Sequence, residues 1–314
     1  MDKTSFPQHL VQSEIWGKFK TKMGTPAYSA GGMQFTLHKL PLLPYFIAYA
    51  PKVSPDKINY DEVTKVAKAK NAVAVRFDVP NVVLVDPTAN SRVLPDSGST
   101  RNNVVPAPKD TFAKYNILLD LTPTEETLFA NLKSKTRYNI KLAQKSGVVV
   151  KESNDIDIFL KLNKETAKRQ GFFVHSDIYY KTMYQMLKDA GLAHLFIAYC
   201  NNEPLVAWIL VCYQNVLYYP YGASSEKHKE VMASNLLMWE AIKFGKAQNC
   251  KLFDMWGATN NEKDPWWGFT RFKLGYGGEL VKYVDSYDLV LNKPVYYLFN
   301  LAYKVFWFVV KLFK

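Results

Sequence analysis

Residues 194–221 read His-Leu-Phe-Ile-Ala-Tyr-Cys-Asn-Asn-Glu-Pro-Leu-Val-Ala-Trp-Ile-Leu-Val-Cys-Tyr-Gln-Asn-Val-Leu-Tyr-Tyr-Pro-Tyr. The apolar runs 194–200, 205–212 and 216–221 have strand length, and Asn201-Asn202 supplies a hairpin turn. Residues 226–248 carry Leu237, Ala241 and Phe244 on one face, which predicts a long amphipathic helix. Residues 251–255 then read as a further buried strand. An antiparallel strand series, a helix and a returning strand predict an α/β layer.

Moving outward, 148–151 reads as a strand, 156–169 and 177–188 as helices, and 279–291 as another strand. The N-terminal half has a similar order. Ser13 is an N-cap and Gly24 a stop for a helix over 13–23. Strands are expected around 33–40, 45–50 and 72–79, with a helix over 60–70. Residues 81–110, rich in Asn, Pro, Ser and Thr, predict an extended excursion, and 116–121 a strand. Thr122-Pro123-Thr124-Glu125 starts a helix, and a basic segment follows until Gly147. The order occurs twice without sequence repetition, so two related α/β domains are expected.

The 314 residues suit two domains of ordinary size, and an apolar fraction of 48% is enough for two cores. Lys and Arg total 40 against 28 acids, a net charge of +12 that favours phosphate-rich partners or an anionic membrane surface. Cys200, Cys212 and Cys250 stand far apart without CxxC spacing, as buried thiols of a reducing compartment do. The N-terminus has no apolar signal-peptide core, so export is not expected. His9, His38, His175, His194 and His228 form no metal-ligand pattern, and no metal site is expected.

The basic segment, 133–145, holds five positive charges and no acid. On a helix, Lys133, Arg137, Lys141 and Lys145 form one stripe at i, i+4 spacing, where like charges repel by a few tenths of a kcal/mol per pair. An anionic partner reverses that sign; a solvated face is the plainer reading. Residues 294–314 are apolar and aromatic almost all round, with Asn300, Lys304, Lys311 and Lys314 in one narrow stripe. A bilayer-spanning helix would place Lys304 near the hydrocarbon centre, so a helix lying in the membrane interface is expected; a terminal helix packed on the core is the alternative.

Six segments in register resemble the Fem-type peptidoglycan bridge aminoacyltransferases, the FemABX family. They are residues 10–20, with Gln12-Ser13-x-x-Trp16; Arg76-Phe77-Asp78-Val79-Pro80, with Val79 inserted before the proline; Lys135-Thr136-Arg137-Tyr138-Asn139-Ile140-Lys141-Leu142-Ala143; Tyr221-Gly222-Ala223-Ser224-Ser225; Asp254-Met255-Trp256-Gly257; and residues 271–279. The resemblance runs from about residue 10 to 291. It implies an α/β (α+β) fold of two tandem GNAT-like domains, 1–145 plus 285–314 for the acceptor precursor and 146–284 for aminoacyl transfer. It also implies transfer from aminoacyl-tRNA, a co-substrate rather than a bound cofactor, to an amine of a peptidoglycan precursor. That precursor is lipid II or a UDP-MurNAc-pentapeptide. A monomer in the cytoplasm, peripheral on the inner face of the membrane, is expected. The long helical hairpin of some members has no room here, which leaves the mode of tRNA binding open.

Aminoacyl transfer needs positioning and a fixed positive charge beside the developing oxyanion. The resemblance assigns that charge to Lys273, flanked by Phe272, where the bare sequence gives a surface lysine on a loop. It suggests Lys20 and Arg137 as a phosphate clamp, with Lys18 as the other lysine of the N-terminal motif. Tyr138 and Tyr221 could contact substrate or be buried structural tyrosines. Asp78 could orient the attacking ammonium or serve a turn. Asp254, at the end of a buried strand, has the same two readings. Lys133, Lys141 and Lys145 form a field for tRNA or membrane. The competing enzyme is an acyl-CoA-dependent N-acyltransferase, but residues 225–234 contain no glycine where a pyrophosphate loop is needed. A non-catalytic, membrane-associated binding protein is the reading from another class.

Overall fold

The computed structural model describes residues 6–84, 103–171 and 173–312, with side chains described as far as residue 305 in the last helix. The N-terminal elements are α1 (Glu14–Lys22), β1 (Ala27–Ala30), β2 (Met33–Lys39), β3 (Phe46–Pro51), α2 (Tyr60–Ala69), β4 (Ala72–Asp78) and β5 (Val104–Pro106). There follow β6 (Tyr115–Asp120), α3 (Glu125–Ala130), α4 (Ser134–Lys145), β7 (Val149–Ser153), α5 (Ile156–Gln170), α6 (Asp177–Asp189) and β8 (Ala193–Cys200). Then come β9 (Glu203–Tyr213), β10 (Val216–Ser224), α7 (Ala233–Ala247), β11 (Leu252–Ala258) and α8 (Trp267–Leu274). The last are β12 (Glu279–Lys282), β13 (Tyr287–Val290) and α9 (Lys293–Leu312).

Two units result, Asp2–Lys114 with Lys282–Lys314, and Tyr115–Val281. In the first, the sheet order is β1-β2-β3-β4-β13-β5, with β3 and β4 parallel and every other pair antiparallel. In the second it is β12-β6-β11-β10-β9-β8-β7, with β10 and β11 as its parallel pair. Each sheet is a meander, then one parallel step bridged by a helix (α2 or α7), then two more strands from elsewhere in the chain, β13 and β5 or β6 and β12, of which β13 and β6 pair antiparallel with the step. Tyr60, Val63 and Ala67 of α2 bury against Phe35, Ala48, Val75 and Phe77. On the opposite face Tyr296 of α9 packs with Ala74 and Val290. In the second unit Leu237 and Ala241 of α7 share a core with Ile140 of α4, Leu217 and Phe253.

Three expected boundaries are corrected. The first unit ends at Lys114, not 145, because β6 pairs with β11 and carries α3 and α4 into the second unit. Residues 279–291 are two strands in different sheets. Ser286 between them is held by Asp78 and Asp110, its hydroxyl 2.8 and 2.5 Å from their carboxylates. The helix expected over 226–248 starts at Ala233, since His228 and Met232 have φ of 52° and 55° and break the turn before it. Of the expected excursion over 81–110, residues 85–102 lie outside the described residues.

Candidate active site

The parallel ladder between β10 and β11 has only three pairs, Val216 with Leu252 to Tyr218 with Asp254. Both strands shift register against their other neighbours at that level, between Tyr218 and Tyr221 and between Asp254 and Gly257. Buried Asp254 organises the second shift. Its carboxylate accepts from the Trp256 N–H at 2.8 Å and from Asn116 Nδ2 at 2.7 Å. Trp256 takes φ +64°, a left-handed conformation unusual for an aromatic residue.

The Trp256 and Gly257 carbonyls beside this bulge meet Lys273. Lys273 sits in α8 at 7% exposure, and its Nζ donates to the Gly257 carbonyl at 2.8 Å and approaches that of Trp256 at 3.4 Å. The ammonium lies 5.8 Å from the centre of the Tyr219 ring. Loss of solvent pushes its pKa down to about 8, with the negative charge of Asp254 working against that shift. The charge is therefore desolvated but retained at neutral pH.

Helix α8 is fastened at its middle and at its C-terminal end. Thr270 Oγ1 accepts from the Thr259 N–H at 3.0 Å, and the Lys133 N–H donates to the Gly275 carbonyl at 2.9 Å. A Cβ at Gly275 would come within 2.4 Å of Thr136 Oγ1, so glycine lets α4 approach. Phe272 packs edge-on to Tyr276, whose hydroxyl donates to the Asn235 carbonyl at 3.0 Å. The segments at 135–143, 254–257 and 271–279 thus meet around Lys273.

The other candidates fall elsewhere. Arg137 directs Nη1 to the Ala130 carbonyl at 2.8 Å and to the Leu132 carbonyl, finishing the last turn of α3. Tyr138 is 65% exposed, which removes the buried structural reading, and Lys133, Lys141 and Lys145 are solvent-facing. Tyr221 lies against Tyr179 and Tyr180, and burial raises its hydroxyl well above the ordinary value. Tyr219, not singled out from the sequence, is the tyrosine beside Lys273. The register shift in β10 defeats period-two reading there. Asp254 was the legible sign, an acid in an apolar strand.

Lys20 belongs to the first unit and Arg137 to the second. Partial burial weakens the hold of Lys20 on its proton, whereas Lys18 pairs on the surface with Glu14 at 2.6 Å. Buried Asp78 accepts from Tyr49 at 2.5 Å, Phe112 N–H at 2.9 Å, Ser286 at 2.8 Å and Thr111 N–H at 3.0 Å, a structural set. Arg76 makes a two-pronged bond to buried Asp288 at 2.8 and 2.7 Å, and Tyr296 adds a third donor at 2.7 Å. Gln12 ties the N-terminus to the Gln34 and Pro51 carbonyls at 3.0 and 2.8 Å. Much of the N-terminal motifs is therefore framework. Between β2–β4 and α9 the same unit holds a cavity of about 830 Å³. Among the described residues, no group of three His, Cys, Asp or Glu could hold a metal ion.

The structure resembles the crystal structure of FemX, with a TM-score of 0.79 and 19% identity over 94% of this chain and 96% of that one. It also resembles the C-terminal domain of a putative lysylphosphatidylglycerol synthetase from Agrobacterium fabrum, with a TM-score of 0.58 and 10% identity over 88% and 87%. The fold is two GNAT-like domains in tandem. A lipid II:glycine glycyltransferase of Staphylococcus haemolyticus is 22% identical over 90% of this chain and 86% of its own length. The FemAB family model matches residues 101–207 and 193–304. With well over half its length matched, the chain belongs to the FemAB family.

Proposed function

We propose that this protein is a Fem-type aminoacyltransferase that moves an amino acid from aminoacyl-tRNA to the stem-peptide amine of a lipid-linked peptidoglycan precursor. The observation that carries this reading is the desolvated ammonium of Lys273, fixed on two backbone carbonyls beside the open end of the parallel step. Relatives named lipid II:glycine glycyltransferase support the transferase class and the acceptor. The acceptor amine attacks the ester carbonyl, and a C–N bond forms as the carbonyl oxygen becomes an oxyanion. Lys273 retains an N–H for that oxyanion and stabilises it where water is excluded. The intermediate collapses with loss of the ribose oxygen, which takes a proton as the amine gives one up. Phe272 holds Lys273 in place. Lys20 and Arg137 contact precursor phosphates, Tyr138 the exposed part of a substrate, and Lys133, Lys141 and Lys145 attract the tRNA backbone.

The deciding assay uses purified protein, lipid II in detergent and total aminoacyl-tRNA. An amide-linked product is expected with wild type, and Lys273→Met lowers kcat by about 10²- to 10³-fold, the usual effect of losing one oxyanion donor. Product formation from acetyl-CoA alone, or full turnover by folded Lys273→Met, overturns the reading.

A further inference from the structure

The cavity beneath α9 plays no part in the transfer chemistry above. Leu40, Ile47, Phe299 and Tyr303 supply its apolar walls, while Lys39, Lys109 and Lys304 bring ammonium groups to it. Arg76 also lines it but is neutralised by Asp288, and the lining includes no carboxylate. Lys109 Nζ is held by the Tyr303 hydroxyl at 2.9 Å, which ties a cation to the helix that roofs the cavity. A soluble polyanion has no use for the apolar walls, and an uncharged lipid none for the ammonium groups. An amphiphile with a phosphate head uses both.

The roof points to where such a molecule resides. On α9, Tyr297, Leu298, Leu301 and Val305 are each more than half exposed, while Phe299, Asn300, Tyr303 and Lys304 line the cavity. One helix therefore shows apolar side chains to the outside and closes a cationic, apolar cavity on its other side. His38 in the cavity wall also feels the charge of Lys20, the proposed phosphate contact. We infer that this cavity takes the hydrocarbon chain of a lipid diphosphate, with the chain-bearing phosphate at Lys39, Lys109 and Lys304 and the outer phosphate left to the proposed contacts Lys20 and Arg137. The inference rests on the reading of the acceptor as lipid-linked, and assigns the chain of that acceptor to a site of its own.

The test measures binding to the whole chain by calorimetry, with farnesyl diphosphate and inorganic diphosphate as probes and no donor present. Farnesyl diphosphate binds at least about ten-fold tighter, because its hydrocarbon chain leaves water for the apolar walls. Ile47→Trp, which fills the cavity, abolishes that preference while leaving inorganic diphosphate binding intact. Phe299→Ser on the helix, which removes an apolar wall without adding charge, does the same without touching the sheet. Equal affinity for the two probes in wild type overturns the proposal, and so does a preference that survives in both folded variants. Since no transfer is measured, a failure of the transferase reading leaves this outcome separate.

Discussion

The two units contain the same parallel step, closed in one and open in the other. In the first, β3 and β4 pair at six positions, from Phe46 with Ala72 to Pro51 with Asp78. In the second, the ladder stops after three. Where the step stays paired, its end is locked by Asp78 and its neighbouring strands by the Arg76–Asp288 pair. Where it opens, an acid inside β11 turns two carbonyls away from the ladder and onto a lysine. One architecture thus serves as a frame and as a site, and what differs is the destination of a few backbone groups.

The most damaging blow to the open step is Lys273→Met, which removes the transfer rate while leaving thermal unfolding at neutral pH close to wild type. Loss of folding instead would mean that the lysine belongs to the frame. Against the closed step, Arg76→Ala strands buried Asp288 and costs about 3–5 kcal/mol in urea unfolding. Turnover per folded molecule with a soluble acceptor, which has no chain to place in the cavity Arg76 lines, should survive, and its disappearance would erase the division between frame and site.

Smaller effects sharpen the contrast. Asp254→Asn removes the charge that supports the Lys273 proton, so the alkaline fall in kcat that this lysine should produce around pH 8 is expected to move to lower pH. An unmoved limb would assign it to another group. The lysine also couples pH to stability. Its folded pKa of about 8 lies below the ordinary 10.5, so between these values the unfolded chain binds more protons and stability rises with pH. Wild type should gain on Lys273→Met over that window even as it loses activity; parallel stability curves would contradict the buried ammonium. Smallest is Leu301→Asp on the outer face of α9, expected to weaken binding to anionic vesicles several-fold at unchanged kcat with soluble acceptor.

Both sheets and most helices were legible, because amphipathic periodicity and punctuation such as Ser13 and Gly24 act locally. Long-range pairing was not. Nothing in Tyr115–Asp120 says that it joins β11 rather than the strands before it, and that misplaced the boundary. The split of 279–291 was hidden for the same reason, since Ser286 finds its partners more than 170 residues away. Within the site, the six family-like segments pointed to Lys273 but not to how it is held. Its acceptors are main-chain carbonyls exposed by a bulge, and side-chain patterns do not report those. In the terminal helix Tyr296 packs on the core, as the alternative expectation had it, while Leu298 and Leu301 face outward; Lys311 and Lys314 lie outside the described side chains.

The position of β13 has a consequence for how the protein is made. Strand β4 ends at Asp78, but the strand that covers its free edge begins at Tyr287. At ribosomal speeds of about 5–20 residues per second, that edge waits roughly 10–40 s for its partner. The inner unit, complete at Val281, finishes first, inverting the usual N-to-C order of folding. The nascent chain must meanwhile carry an unpaired, apolar strand edge of the kind that invites aggregation. Exposure of that edge during synthesis is thus a product of topology, and truncation before residue 287 should leave the first sheet unclosed.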